Sequence, residues 1–100
     1  MELDFQKKEQ ILSELKSNIS NIVKNSKVKE VEVFQDYFQN KQIFGYVVER
    51  ADDLKAEVYT EYTGKEGNQV LKNVHWFIND GESKSGPFNG LTTAIQKFLG

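Results

Sequence analysis

The single histidine of the chain, His75, stands beside Trp76 in an apolar run. A general base or metal ligand at this position needs partners. The chain has no cysteine and no second histidine, so the common zinc ligand sets are missing. No nucleophile-elbow pattern supplies a serine to pair with it. His75 is therefore read as a partly buried sheet residue. Two acidic groups, Asp52-Asp53 and Asp80-Gly81-Glu82, fall where turns are needed. Aspartate favours turns because its carboxylate bonds the local backbone. Neither group has the calcium-loop spacing. Gly64-Lys65-Glu66-Gly67 lacks the phosphate-loop pattern. These residues point to no catalytic centre, no metal and no cofactor.

The elements that hold these residues are readable from periodicity. Leu12, Leu15, Ile19, Ile22 and Val23 recur at spacings of three and four, with Ile11 beside the stripe. That is one apolar face on a solvated helix. Asp4 is expected to cap its start and Asn25-Ser26 to end it. From Val28 the period changes to two. Four β-rich runs follow, Val31–Phe38, Ile43–Arg50, Lys55–Thr63 and Val70–Asn79, rich in β-branched and aromatic residues. The gaps at Gln39-Asn40-Lys41, Ala51–Leu54 and Gly64–Asn68 are too short for parallel crossovers. The strands must pair as an antiparallel meander in the order 1-2-3-4.

Asp80-Gly81 signals one more tight turn, and a short fifth strand through Ser83–Ser85 fits the pattern. Gly86-Pro87-Phe88 is expected to break regular structure. Asn89 then caps a final helix carrying Leu91, Ala94, Ile95, Phe98 and Leu99. The reading is a single α+β domain over residues 1–100, a two-layer sandwich with both helices on one face of the sheet. That face takes Val31, Val33, Tyr37, Phe44, Tyr46, Val48, Val58, Trp76 and Ile78. Helix, antiparallel sheet, helix resembles the outline of frataxin-like proteins. Their acidic first-helix ridge is missing here, because Glu9 and Glu14 alternate with lysines. The resemblance implies architecture alone.

The opposite parity carries Phe34, Ile43, Val47, Tyr59, Leu71, His75 and Phe77, interleaved with Glu32, Glu49, Lys55, Glu57 and Glu61. A solvent-facing sheet surface is usually polar, whereas this one is partly aromatic. Such patches often mark contact surfaces. A register slip would also explain the pattern, and Gly45 is the natural place for a bulge.

Composition narrows the partner class. Net charge is −2 and the sequence pI about 5.4. Between Glu30 and Thr63 eight acidic residues stand against three basic ones. A strip of that charge repels phosphates, so nucleic acid is a disfavoured partner. Twelve lysines accompany one arginine, Arg50, which weakens bidentate phosphate or guanine recognition. The chain's start is too charged for a secretory signal, and no run reaches the roughly 20 apolar residues of a membrane span. A cytoplasmic location with no membrane contact is expected. The expected role is a non-enzymatic protein–protein interaction domain of inhibitor, immunity or phage-accessory type. It would act through the outer sheet face, on a protein partner or as a homodimer. The alternatives are single-stranded nucleic-acid binding through sheet aromatics and first-helix lysines, and a small-molecule pocket near Trp76 and Tyr46.

Overall fold

The first apolar stripe forms helix α1, Phe5–Val23, in a computed structural model that describes residues 5–63, 70–72 and 75–100. Ile11, Leu15 and Ile22 are buried, and Leu12 and Ile19 pack at the margin of the core. Asn25 stops the helix as expected. Its Oδ1 accepts the Lys27 amide at 2.9 Å, and its carbonyl accepts the Val28 amide. The expected cap at Asp4 lies outside the described residues.

Five strands follow: β1 (Val28–Phe38), β2 (Lys41–Arg50), β3 (Lys55–Tyr62), β4 (His75–Asn79) and β5 (Lys84–Asn89). They form one sheet in the order β1-β2-β3-β4-β5, every pair antiparallel. Gln39 and Asn40 close the first hairpin with φ of 52° and 64°. Two residues with positive φ twist the turn in the same sense as the strands, which is why this connection is favoured. The second turn is held by side chains. Asp52 Oδ1 accepts the Leu54 amide, and the Arg50 guanidinium donates to the Asp52 carboxylate. Those bonds, Arg50's first, hold the Asp52 carboxyl below its ordinary range.

Helix α2, Leu91–Leu99, buries Ala94, Ile95, Phe98 and Leu99. Helix α1 covers β1 and β2, and α2 covers β3, β4 and β5, on the same face of the sheet. Between helices and sheet lie Phe44, Tyr46, Val48, Val58 and Trp76, each sealed from water. Tyr46 donates its hydroxyl to the Leu15 carbonyl at 2.9 Å, tying β2 to α1. Burial pushes the Tyr46 phenol up to about 12, partly offset by a hydrogen bond with Asn18. Arg50 ties α2 down. It donates to the Phe98 carbonyl at 2.8 Å, with its charge 5.1 Å from the Phe98 ring centre. A cation at a helix C-terminus satisfies an orphan carbonyl and the negative end of the dipole. The only arginine is thus occupied by structure.

The sheet corrects four local expectations. The fourth strand begins at His75, not Val70. Val70–Lys72 is a 3-10 turn whose Val70 is buried and whose Leu71 packs against the core. Gly86-Pro87-Phe88 does not interrupt regular structure but lies inside β5. Proline is tolerated there because β5 is an edge strand, where one missing N–H need not break a ladder. The last helix is entered through Gly90, with φ of 100° and no side-chain cap, and Asn89 ends β5 instead. Tyr37 lies on the helix side of the sheet, opposite Gln42, yet stays half exposed at the hairpin end. The expected turn at Gly64–Asn68, and Val74 of the expected fourth run, lie outside the described residues.

Candidate functional site

The face of the sheet away from the helices is laid out by register. Gly45 of β2 sits between Phe34 of β1 and Tyr59 of β3, and Tyr59 is paired with Phe77 of β4. One rung away, Ile43 sits between Asp36 and Glu61. On the other side, Val47 sits between Glu32 and Glu57. An aromatic row therefore crosses the face, flanked by two rows in which an aliphatic side chain stands between carboxylates. The alternation of the strands produces this pattern, because side chains two apart share a face and cross-strand neighbours align.

Gly45 makes the aromatic row continuous. With no side chain between them, Phe34 and Tyr59 meet edge to face across β2, ring centres 6.4 Å apart. Tyr59 and Phe77 stack with centres 5.7 Å apart. The register runs through Gly45 unbroken, so the alternative of a bulge there falls away. The irregularities lie at Val28/Glu30 and Trp76/Ile78. An added Cβ at Gly45 would sit 2.1 Å from the Val58 carbonyl oxygen and 2.6 Å from the Tyr59 Cα. Glycine is needed here for close approach of two backbones.

Lys84 of β5 reaches over the end of the row. Its ammonium lies 4.3 Å from the Phe77 ring centre and 5.8 Å from that of Tyr59. It also pairs with Glu61 at 3.4 Å, and Lys41 pairs with the other oxygen of Glu61 at 3.6 Å. Burial drives the Tyr59 phenol upward, against the pull of Lys84. Desolvation opposes the charge on Lys84, yet Tyr59 and Glu61 hold its pKa above the ordinary lysine value. No lysine or arginine among the described residues pairs with Glu32 or Asp36.

Of the seven residues expected on this face, the structure brings Phe34, Ile43, Val47, Tyr59, His75 and Phe77 together on it. Leu71 is the exception. It belongs to the 3-10 turn and faces the core, because the chain leaves the sheet before His75. Tyr59 is only 5% exposed, covered by its aromatic neighbours, so it supports the surface more than it presents it. Phe34, Ile43, Val47 and Phe77 are half-buried, whereas His75, expected to be partly buried, is exposed because it stands at the start of β4. Sequence reasoning missed Lys84 as a member of the face. The signal was available, since lysine and proline together are the marks of an edge strand.

Among the described residues no three His, Asp or Glu side chains gather as a metal site would require. No helix among them is long and apolar enough to cross a membrane. Trp76 and Tyr46, the expected walls of a small-molecule pocket, are closed into the core. A cleft of about 400 Å³ lies instead between the two helices, with Ile22, Leu91 and Ile95 among its lining and Asn18, Asn21 and Gln96 around it.

No curated protein and no solved structure matches the chain. A family model does match, over residues 5–98, which takes in α1, the whole sheet and all but the last residue of α2. By that match the chain belongs to the family described as a family of unknown function (DUF5634).

Proposed function

We propose that the protein is a non-enzymatic interaction domain that docks a protein partner on the outer face of its sheet. The observation that carries this reading is the aromatic row Phe34–Gly45–Tyr59–Phe77, left uncovered by either helix. Half-buried apolar groups bounded by charge are the usual make-up of a contact surface. The carboxylates at Glu32, Asp36 and Glu57 favour a partner that brings basic groups, and they disfavour the phosphates of a nucleic acid. A second copy of the chain is the other occupant that this surface admits. The inhibitor, immunity or phage-accessory role and the cytoplasmic location expected from composition belong to the same proposal.

Phe34→Glu and Ile43→Glu test it, since both positions are half-buried on the face and neither closes the core. Tyr59→Glu is unsuitable, because a buried charge there would unfold the sheet. Light scattering over a range of concentrations reports self-association, and affinity capture from the native host reports a partner. The proposal expects both face variants to lose the complex while Ser13→Glu, on the exposed side of α1, keeps it. A chain that is monomeric throughout, and whose face variants capture the same proteins as the parent, would overturn it.

A further inference from the structure

The two edges of the sheet are built differently. β5 carries Pro87, which offers no N–H, and a register irregularity against β4. Both features blunt an edge against pairing. β1, the other edge, spans Val28–Phe38 and pairs with β2 without irregularity from Glu30 to Phe38. Its free side offers a row of backbone donors and acceptors, in which the Tyr37 amide already donates to the Asp36 carboxylate at 2.7 Å, and such a row is the template for an added strand. At the hairpin end Tyr37 and Phe38 are 50% and 60% exposed, which gives an added strand apolar surface to bury.

The side chains of this edge specify what can be added. Glu32, Phe34 and Asp36 point to the outer face in succession. A strand laid beside β1 places its own alternate residues opposite these three. A second copy fits poorly. In a symmetric antiparallel pair, registers centred on Glu30, Glu32 or Asp36 set a carboxylate against its own copy. Centring on Val31 sets Glu30 against Glu32, on Val33 Glu30 against Asp36, and on Phe34 Glu32 against Asp36. Like charges directly opposite are destabilising. Among registers that overlap five or more residues of β1, only the one centred on Gln35 escapes. No two lysines or arginines of this chain lie four positions apart, so no segment of a second copy supplies two cations to face Glu32 and Asp36.

We infer that β1 is a strand-addition site for an extended segment of a different protein, one that alternates basic, apolar and basic residues on the face opposite Glu32, Phe34 and Asp36. The inference rests on the outer face being a docking surface and names the partner chemistry at its rim. Backbone hydrogen bonds would supply affinity, and the two flanking carboxylates would select positive charge.

The test uses the whole protein and a capped peptide, Thr-Lys-Thr-Val-Thr-Lys-Thr, with a second peptide carrying glutamate in place of both lysines. Amide hydrogen exchange is followed along β1. The lysine peptide is expected to slow exchange of the free β1 amides in step with its concentration, by about tenfold when it stands at about ten times its Kd. The glutamate peptide is expected to leave them unchanged. In the Glu32→Lys, Asp36→Lys double variant, both sites being exposed, the preference should reverse. No slowing by the lysine peptide, or equal slowing by both peptides, overturns the inference. So does concentration-dependent slowing without peptide, which would assign the edge to a second copy. Phe77→Glu separates the two readings. If it abolishes partner capture while β1 never responds to peptide, the face reading stands and the edge reading falls.

Discussion

Phe44, Tyr46 and Val48 alternate along β2 with Ile43, Gly45 and Val47, and the two sets meet different neighbours. The first set is sealed under α1 and α2. The second lies between carboxylates and rings, with Ile43 and Val47 half-buried and Gly45 covered between Phe34 and Tyr59. Both sets are apolar, so hydrophobicity does not separate them. What separates them is the cover available. Two amphipathic helices can close one face of a five-stranded sheet. The other face has only its own long side chains. Tyr59 shows how far those can go, reaching near-complete burial with no helix above it.

Substitutions on the two faces test this contrast. The largest effect is expected at Gly45→Ala, where the new methyl meets backbone rather than a movable side chain. A loss above about 4 kcal/mol is expected, enough to unfold a domain of ordinary stability. Urea denaturation measures it, and a loss under about 1 kcal/mol would mean the strands can part at little cost.

Next come the neighbours Trp76 and Phe77, one on each face. Trp76→Ala should cost about 3–5 kcal/mol through cavity and lost burial. Phe77→Ala should cost clearly less, about 1–2 kcal/mol, since the ring is half exposed and leaves no closed cavity. Equal losses would show that the outer face is packed like the inner one.

The third difference is titratable. Tyr46 keeps its proton in the folded state to about pH 12, whereas an unfolded tyrosine releases it near 10. A raised phenol favours the native state below pH 10, and that stability declines as pH rises from 10 towards 12. The slope approaches about 1.4 kcal/mol per pH unit. Tyr46→Phe should flatten much of this alkaline limb and lose about 1 kcal/mol at neutral pH with the bond to Leu15. A limb unchanged in the variant would assign it to another group. Tyr59, also raised, should contribute to the same limb.

The smallest effect belongs to the lid of the outer row. Lys84→Met keeps the alkyl cover and removes the charge over Phe77 and the pair with Glu61. A loss of about 0.5–1 kcal/mol is expected. It should shrink in high salt, because half-exposed ion pairs are screened. A larger loss that ignores salt would mean the ammonium is not what holds the row.

The helices, the meander, the turns at Gln39-Asn40, Ala51–Leu54 and Asp80-Gly81, and the two parities of β1, β2 and β3 were legible in the chain. Each rests on periodicity or on a turn residue, and both are local signals. The outer face was legible for the same reason, with Phe34, Ile43, Val47, Tyr59, His75 and Phe77 on one parity. Leu71 was misplaced because an apolar residue in a β-rich run looks alike in a strand and in a 3-10 turn. Only its packing against the core distinguishes them. β5 was read as broken at Gly86-Pro87 because proline's cost depends on whether a strand has neighbours on both sides, which is a property of the sheet.

The order of residues alone implies that one side of this sheet carries apolar groups without a helix to cover them. It also determined, through missing cysteines and the absence of a second histidine, that a thiolate or poly-histidine metal centre is unavailable. What those apolar groups do is set by the folded chain. It made Gly45 a gap through which Phe34 and Tyr59 touch, drew Lys84 across from the far edge, and left β1 open while β5 is blunted. These facts depend on which strand ends up beside which. No local pattern contains that information, because cross-strand distance is set by the register of residues far apart in the chain.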